Sequence, residues 1–255
     1  MFIINIIILI TIICIYFLYL QTTKSNEFIE KMHIIKYPDL IIKPQQEFYD
    51  KSIYPELDNI NVSIIKDELN EYINKNNNWT EWPEYNLWKE NNSNSTSSWT
   101  VIPLIAFGKH CKKNINMFPK TIEQINQIPN VLTAGFSKLG PKTTLSWHKG
   151  WAKLSNNVLR CHLGLKVPKN KCMIMVTKDN YFEPNNSELN IKSMYQKENK
   201  WIIFDDSLYH SASNDSDSER IVLIIDIIRP PHINPGTSDI GYSEELDNFM
   251  NEFVK

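Results

Sequence analysis

From Val131 onward, apolar residues recur at every second position, in short runs at 131–139, 159–167, 172–177, 201–204 and 221–228. A period of two is the signature of strands with one face buried. The runs are separated by Pro, Gly and Asn turns and by no long helical stretch, which argues for a sandwich or jelly roll. A parallel α/β sheet, which needs a crossover helix between strands, is excluded. No repeat at a fixed period is present, which argues against solenoids and propellers.

The half before Pro129 reads differently. Ile64, Ile65, Leu69, Tyr72 and Ile73 follow helical spacing, with Asn61 or Ser63 as N-cap and an end near Asn76. Thr121 with Gln124 predicts a capping box for a short helix stopped by Pro129. Between them, residues 77–99 hold Trp79, Trp82, Tyr85, Trp88 and Trp99 among Asn and Ser. Such a segment either presents a sugar- or peptide-binding surface or pins loops onto a core.

Residues 2–20 are almost unbroken Ile, Leu, Phe and Tyr without a charge. At about 1.5 Å per residue, about 19 residues reach roughly 28 Å, close to the hydrocarbon thickness of a bilayer. With no basic flank before it and no small-x-small site after Leu20, the run reads as an uncleaved single-pass anchor. Lys24, Lys31 and Lys36 follow it and pull the body toward the cytosol, without fixing the side of the membrane. The expected organisation is an anchor over 1–22, a stalk over 23–46, a catalytic domain over 47–235 and a C-terminal tail over 236–255.

The 255 residues carry 27 basic and 29 acidic side chains, a net charge of −2. That balance gives no attraction to polyphosphate, so no nucleic-acid partner is expected, and a monomer is. Beyond Cys14 in the apolar run, Cys111, Cys161 and Cys172 lack CxxC spacing, which excludes a zinc ribbon. One disulfide is left open.

Polar residues on inner strand faces carry the functional information. In 159–167, alternation puts Cys161, Leu163, Leu165 and Val167 on one face and Arg160, His162 and Lys166 on the other. If both faces are covered, Arg160 and His162 need an anion. Arg220 opens the most apolar strand of the chain, where a cation is expensive unless paired. Asp226 on the same face and a ligand carboxylate are equally good partners for it. Of six histidines, His148 sits at a strand-to-loop transition and His210 precedes Arg220 by ten residues. An early His, a late His and an Arg on the last strand describe a jelly-roll iron oxygenase. The usual facial triad has a carboxylate two residues after the first His, whereas here that place is Gly150.

That departure coincides with a family resemblance. Ala134-Gly135-Phe136-Ser137-Lys138-Leu139, Gly140-Pro141, His148-x-Gly150 and Leu159-Arg160-Cys161-His162-Leu163-Gly164-Leu165-x-Val167-Pro168 are similar to the aspartyl/asparaginyl β-hydroxylases. Phe204-Asp205-Asp206-Ser207-x-x-His210 with Arg220 and Ile225-Asp226 resembles the closing motif of that family. The likeness spans roughly 47–231, including Trp79, Trp82, Trp99 and Phe118-Pro119-Lys120-Thr121.

The resemblance implies a mainly β, double-stranded β-helix (jelly roll, cupin-like) with flanking N-terminal helices. It also implies Fe(II) held by His148 and His210 without a carboxylate, and 2-oxoglutarate and O2 as cosubstrates. Arg220 and Ser137 would hold the distal carboxylate of 2-oxoglutarate, Arg160 and His162 would lie near its metal-chelating end, and Asp206 would accept a hydrogen bond from a metal-bound water. For Asp206, a turn-forming role before Ser207 is an equal alternative. The segment 149–159 is longer than in animal members, and Cys111 lacks a nearby partner for the disulfide they carry. The expected reaction is hydroxylation of an unactivated carbon by a 2-oxoglutarate-dependent dioxygenase, with the β-carbon of Asp or Asn in a peptide or protein as first choice. A lipid acyl chain and a silent jelly-roll binding module are the alternatives.

Overall fold

The computed structural model describes residues 41–89, 97–179, 190–241 and 243–254. The chain divides into two units at Lys43/Pro44. Of the first unit only 41–43 are described, so the expected anchor and most of the stalk lie outside the described residues. Among the described residues no helix is long and apolar enough to cross a membrane.

The second unit is mainly β. In chain order it runs β1 (Phe48–Tyr49), α1 (Val62–Lys75), β2 (Thr80–Glu81), β3 (Trp99–Ala106), β4 (Lys109–His110), α2 (Lys112–Ile115), α3 (Pro119–Ile125), β5 (Val131–Leu139) and β6 (Thr143–Thr144). There follow α4 (Ala152–Ser155), β7 (Val158–Lys166), β8 (Cys172–Thr177), β9 (Ile191–Tyr195), β10 (Trp201–Phe204), β11 (Tyr209–Asn214), β12 (Arg220–Ile228) and α5 (Glu244–Val254). One sheet has the order β1-β10-β7-β12-β5-β3-β2 with β4 paired to β3; the other has the order β6-β11-β8-β9. From β5 to β12 the chain alternates between the sheets, returning within one only at the β8–β9 pair. This antiparallel winding between two facing sheets is the jelly-roll arrangement that the period of two implied.

Two apolar layers hold it. On the outer face of the large sheet, Ile65, Leu69 and Tyr72 of α1 join a cluster with Phe118, Phe136, Leu223 and Ile225. Each such side chain contributes about 1.5–3 kcal/mol by leaving water. A second cluster contains Trp99 and Leu139 with Ile174, Val176, Ile202 and Phe204.

α1 begins where the sequence puts it, with Asn61 Oδ1 accepting from the Ser63 N–H at 3.2 Å. The capping box expected at Thr121 and Gln124 is not formed. The first-turn N–H groups of Lys120 and Thr121 donate instead to the Glu68 carboxylate of α1, at 2.9 and 2.7 Å. Gln124 is thereby free to accept from the Asn61 N–H at 2.8 Å. A carboxylate from a neighbouring helix is the stronger acceptor, and it ties α3 to α1.

The segment expected as a C-terminal tail is built into this unit. Ser238 Oγ donates to the Gly150 carbonyl at 2.6 Å, and Phe249 and Met250 of α5 are buried. Cys111, Cys161 and Cys172 are buried, free thiols.

Candidate active site

Register places the site. Across β12, Val222 faces Ser137 of β5 and Gly164 of β7, Ile224 faces His162, and Asp226 faces Arg160. Directly opposed residues share a face of the sheet. Ser137, Arg160, His162, Arg220 and Asp226 therefore project from one face, the one turned away from α1.

The two imidazoles meet opposite that face. His148 and His210 form an antiparallel bridge, His148 N–H to His210 O at 3.0 Å and His210 N–H to His148 O at 2.9 Å. Their ring centroids are 4.2 Å apart. Each Nδ1 donates to a carbonyl two residues back, Ser146 O at 2.7 Å and Leu208 O at 2.9 Å. That fixes both tautomers with an unprotonated Nε2. Burial first, then the mutual repulsion of the rings, pulls His148 down to about 3; burial pulls His210 down to about 4. Both are neutral at pH 7, the state in which imidazole donates a lone pair to a metal.

Asp206 takes the place that Gly150 leaves. Its carboxylate is 1% exposed, lies 3.4 Å from His210 Nε2 and pairs with Arg160 Nη1. A Cβ at position 150 would overlap Asp206 Oδ2. The carboxylate absent two residues after the first His is thus replaced in space by one from the β10–β11 turn. The turn-forming role falls to Asp205 instead, whose Oδ1 accepts from Ser207 N–H at 3.1 Å and Oγ–H at 2.6 Å.

The three basic groups differ in what compensates them. Arg160 makes a two-pronged pair with Asp226, at 2.8 and 2.9 Å, besides its contact with Asp206. The anion that its place on a covered face calls for is supplied by the protein, from Asp226 and Asp206. The same pair removes the ionic partner suggested for Arg220. Arg220 is 1% exposed, and its Nε and Nη1 have no hydrogen-bond partner. Burial lowers it to about 10, so it stays charged at neutral pH. His162, 6% exposed, is held well below the usual imidazole range by burial and by the charges of Arg220 and Arg160. Its Nε2 has no partner, while its Nδ1 sits 3.2 Å from Gln196 Nε2. Ser137 Oγ accepts from Trp99 Nε1 at 3.1 Å, which leaves its own hydrogen to donate.

A buried guanidinium and a buried imidazole with orphaned nitrogens are costly unless an anion completes them. Beside two neutral imidazoles, the donor set fits a carboxylate ligand together with a divalent metal. Among the described residues no group of three or more His, Cys, Asp and Glu side chains is arranged to hold a metal. The pair alone is what the structure offers.

Ser137, His148, Arg160 and Asp206 open onto a cavity of about 400 Å³, while His162, His210 and Arg220 lie outside its lining. Its walls are apolar: Trp82, Leu87, Trp99, Val101, Phe249 and Met250 are among them. Trp82 and Trp99 stack at 4.7 Å, so these tryptophans both anchor loops and shape the cavity. Sequence reasoning missed Gln196, α5 and Glu84. Glu84 lines the cavity, accepts from Trp82 Nε1 at 2.9 Å, and is raised by burial and then by Glu245 and Asp206. Gln196 has no sequence signal, since it follows a run whose partner strand is known only from the fold.

Among curated proteins, the chain is 34% identical over 132 residues to the ornithine lipid ester-linked acyl 2-hydroxylase of Rhizobium tropici, covering 52% of this chain and 42% of that protein. It is 27% identical over 157 residues to human aspartyl/asparaginyl beta-hydroxylase, covering 59% of this chain and 16% of that protein. The chain thus matches less than half the length of these curated relatives. Among solved structures, the non-heme α-ketoglutarate-dependent epimerase SnoN aligns at TM-score 0.44 and 10% identity, over 75% of this chain and 87% of that one. Residues 59–230 match the family model described as aspartyl/asparaginyl beta-hydroxylase, two thirds of the sequence, with both imidazoles, Ser137, Arg160, His162, Asp206 and Arg220 inside the match, and the chain belongs to that family.

Proposed function

We propose that the site binds Fe(II) through His148 and His210 and 2-oxoglutarate through Arg220, Ser137 and His162, and hydroxylates an unactivated carbon of a substrate held in the adjoining cavity. The observation that supports this most is the pair of neutral imidazoles with their rings 4.2 Å apart, together with a buried guanidinium whose Nε and Nη1 have no partner. Bound there with O2, iron and the keto acid supply the conversion of C–H to C–OH, with succinate and CO2 as coproducts. The chain's own residues bind and orient. The Arg220 fork and the Ser137 and His162 donors fix a carboxylate. Asp206 would accept a hydrogen bond from a water held at the metal. The apolar walls exclude bulk water.

Purified full-length chain with Fe(II), 2-oxoglutarate and O2 is expected to form succinate. His148→Ala and His210→Ala are expected to lose both iron and succinate formation. Iron-independent succinate formation, or none under any condition, would sink the proposal.

For the substrate, the cavity favours an acyl chain over the β-carbon of Asp, one of the two residues taken as first choice from the sequence. An aspartyl carboxylate needs a cation, and both cations in the lining are engaged: Arg160 with Asp226 and Asp206, and Lys149 with Asp239 at 2.9 Å. Glu84 in the wall would repel it. An alkyl chain asks only for apolar contact, which most of the lining supplies. The apolar run at residues 2–20 would keep such a cavity near its substrate as a single-pass anchor. Mass spectrometry for a gain of one oxygen distinguishes the two, on lipid extracts for the first and on Asp- or Asn-containing peptides for the second.

A further inference from the structure

The cavity wall holds a second charge that the fold leaves uncompensated, opposite in sign to Arg220. Glu84 lines the cavity beside Trp82, Leu87 and Trp99. Among the described residues its carboxylate accepts one hydrogen bond, from Trp82 Nε1 at 2.9 Å, and makes no ion pair. Neither of its local roles accounts for a charge. Glu84 is the N-cap of the single turn Tyr85–Leu87, yet its side chain makes no capping hydrogen bond. The Trp82 indole needs only an acceptor, which an uncharged amide oxygen supplies as well.

The surroundings make that charge unfavourable in the ligand-free site. Burial pushes the Glu84 carboxyl up, and Glu245 and Asp206 push it further. Of the cations lining the cavity, Arg160 is paired with Asp226 and Asp206 and offsets Glu84 only at longer range, and Lys149 is paired with Asp239. A half-buried carboxylate on an apolar cavity, with two further carboxylates acting on it, is stabilised by a cation or a strong donor that arrives with the ligand.

The walls decide between these. Trp82 stacks on Trp99 at 4.7 Å and meets Phe249 at 5.7 Å, and all three line the cavity. Aromatic faces attract cations. An ammonium group therefore satisfies carboxylate and rings together, whereas a hydroxyl satisfies the carboxylate alone. The position also separates recognition from chemistry. Ring contacts of 4.7 Å from Trp82 to Trp99 and 6.4 Å from Trp99 to His148 lead from Glu84 to the imidazoles. One ligand can keep a charged end at Glu84 and present a carbon further along its chain at His148.

We propose that Glu84 is the specificity-determining residue of the cavity and pairs with an ammonium group of the substrate, which is then an amine-bearing acyl compound and neither a fatty acid nor a neutral acyl chain. The inference rests on the acyl-chain reading for the body of the substrate, and on Glu84 for its head.

The test reads binding and needs no turnover. Full-length chain in neutral detergent, loaded with Fe(II) and 2-oxoglutarate under argon, is titrated calorimetrically with octylamine, 1-octanol and octanoate at pH 7. The three share a chain and differ in charge. Octylammonium is expected to bind at least about tenfold more tightly than octanol, and octanoate most weakly. Glu84→Gln, which keeps an acceptor for Trp82, is expected to abolish the preference for the ammonium and to leave octanol binding and the melting temperature unchanged. Equal affinity for octylammonium and octanol in the wild type overturns the proposal, as does a preference that survives Glu84→Gln. Tightest binding of octanoate overturns it too, by showing a protonated Glu84 that donates, and a variant that weakens all three ligands alike shows a structural Glu84. Binding of the octyl chain regardless of its head would leave the acyl-chain reading intact and sink the inference. Methylammonium binding as tightly as octylammonium, with the same loss in Glu84→Gln, would keep the ammonium site and sink the acyl-chain reading. Binding of none of the four overturns both.

Discussion

Two buried arginines bracket β12, nine residues apart, and they are treated oppositely. Arg229, just beyond its end, donates to both oxygens of Asp205 at 2.6 and 2.8 Å and to the Val158 carbonyl at 3.1 Å. Arg220, at its start, is at least as buried and has no carboxylate. The first charge is compensated within the fold, where it fastens the β10–β11 turn to the end of the last strand. The second is left for something the chain does not contain. A buried cation is therefore informative about ligands only once its protein partners have been counted.

The sharpest way to break this contrast is to remove one side of the compensated pair. Asp205→Ala strands Arg229 and the Ser207 hydrogen bonds, and is expected to cost about 3–5 kcal/mol of stability in urea unfolding. Arg220→Met removes a charge that nothing in the protein satisfies. It is expected to leave stability unchanged or higher, while weakening 2-oxoglutarate binding by about 2–4 kcal/mol, a loss of about 30- to 1000-fold in affinity. A large destabilisation by Arg220→Met would mean that its charge is compensated after all.

A smaller effect sharpens the same site. With an anion in front of it, His162 must donate from Nε2, so Gln196 must donate to Nδ1. Gln196→Leu frees the tautomer and is expected to raise the KM for 2-oxoglutarate about tenfold, near the worth of one hydrogen bond to a charged ligand. An unchanged KM would remove Gln196 from the site.

The smallest effect is one of pH. His162 is held well below an unfolded value near 6.5. Its buried, neutral form costs nothing above that value, whereas below it the unfolded chain takes up the proton first. Stability relative to a His162→Asn variant is therefore full above about pH 6.5 and falls below it, by at most about 1.4 kcal/mol per pH unit. Parallel stability curves for the two proteins between pH 7 and 5 would contradict the burial of a neutral ring.

Much of the β half was legible because hydropathy alternates there: β5, β8 and β10 begin and end where the sequence puts them, β7 lies one residue earlier at both ends, and β12 begins one residue earlier. β11 was not legible. Its buried Ser211 and Asn214 are satisfied by carbonyls of Leu145, Leu139 and Gly140, so a strand of the inner sheet reads as polar. β3 was hidden by Pro103, which demotes a strand; it sits at a register shift against β5, where Gly135 has no side chain to meet the Ile102 carbonyl, 2.9 Å from where a Cβ would be. The site residues were legible as types. Which carboxylate pairs with which guanidinium was not, because Asp205, Asp206 and Asp226 are assigned only by strand register and by the space at Gly150.

The most direct measurement is equilibrium binding of 2-oxoglutarate, under argon, to Fe(II)-loaded wild type and Arg220→Met at matched folding. Binding that requires iron and is lost in Arg220→Met, while that variant keeps its iron and its melting temperature, is the predicted result. Wild-type affinity in Arg220→Met would show that the unpaired guanidinium is not the cosubstrate's anchor.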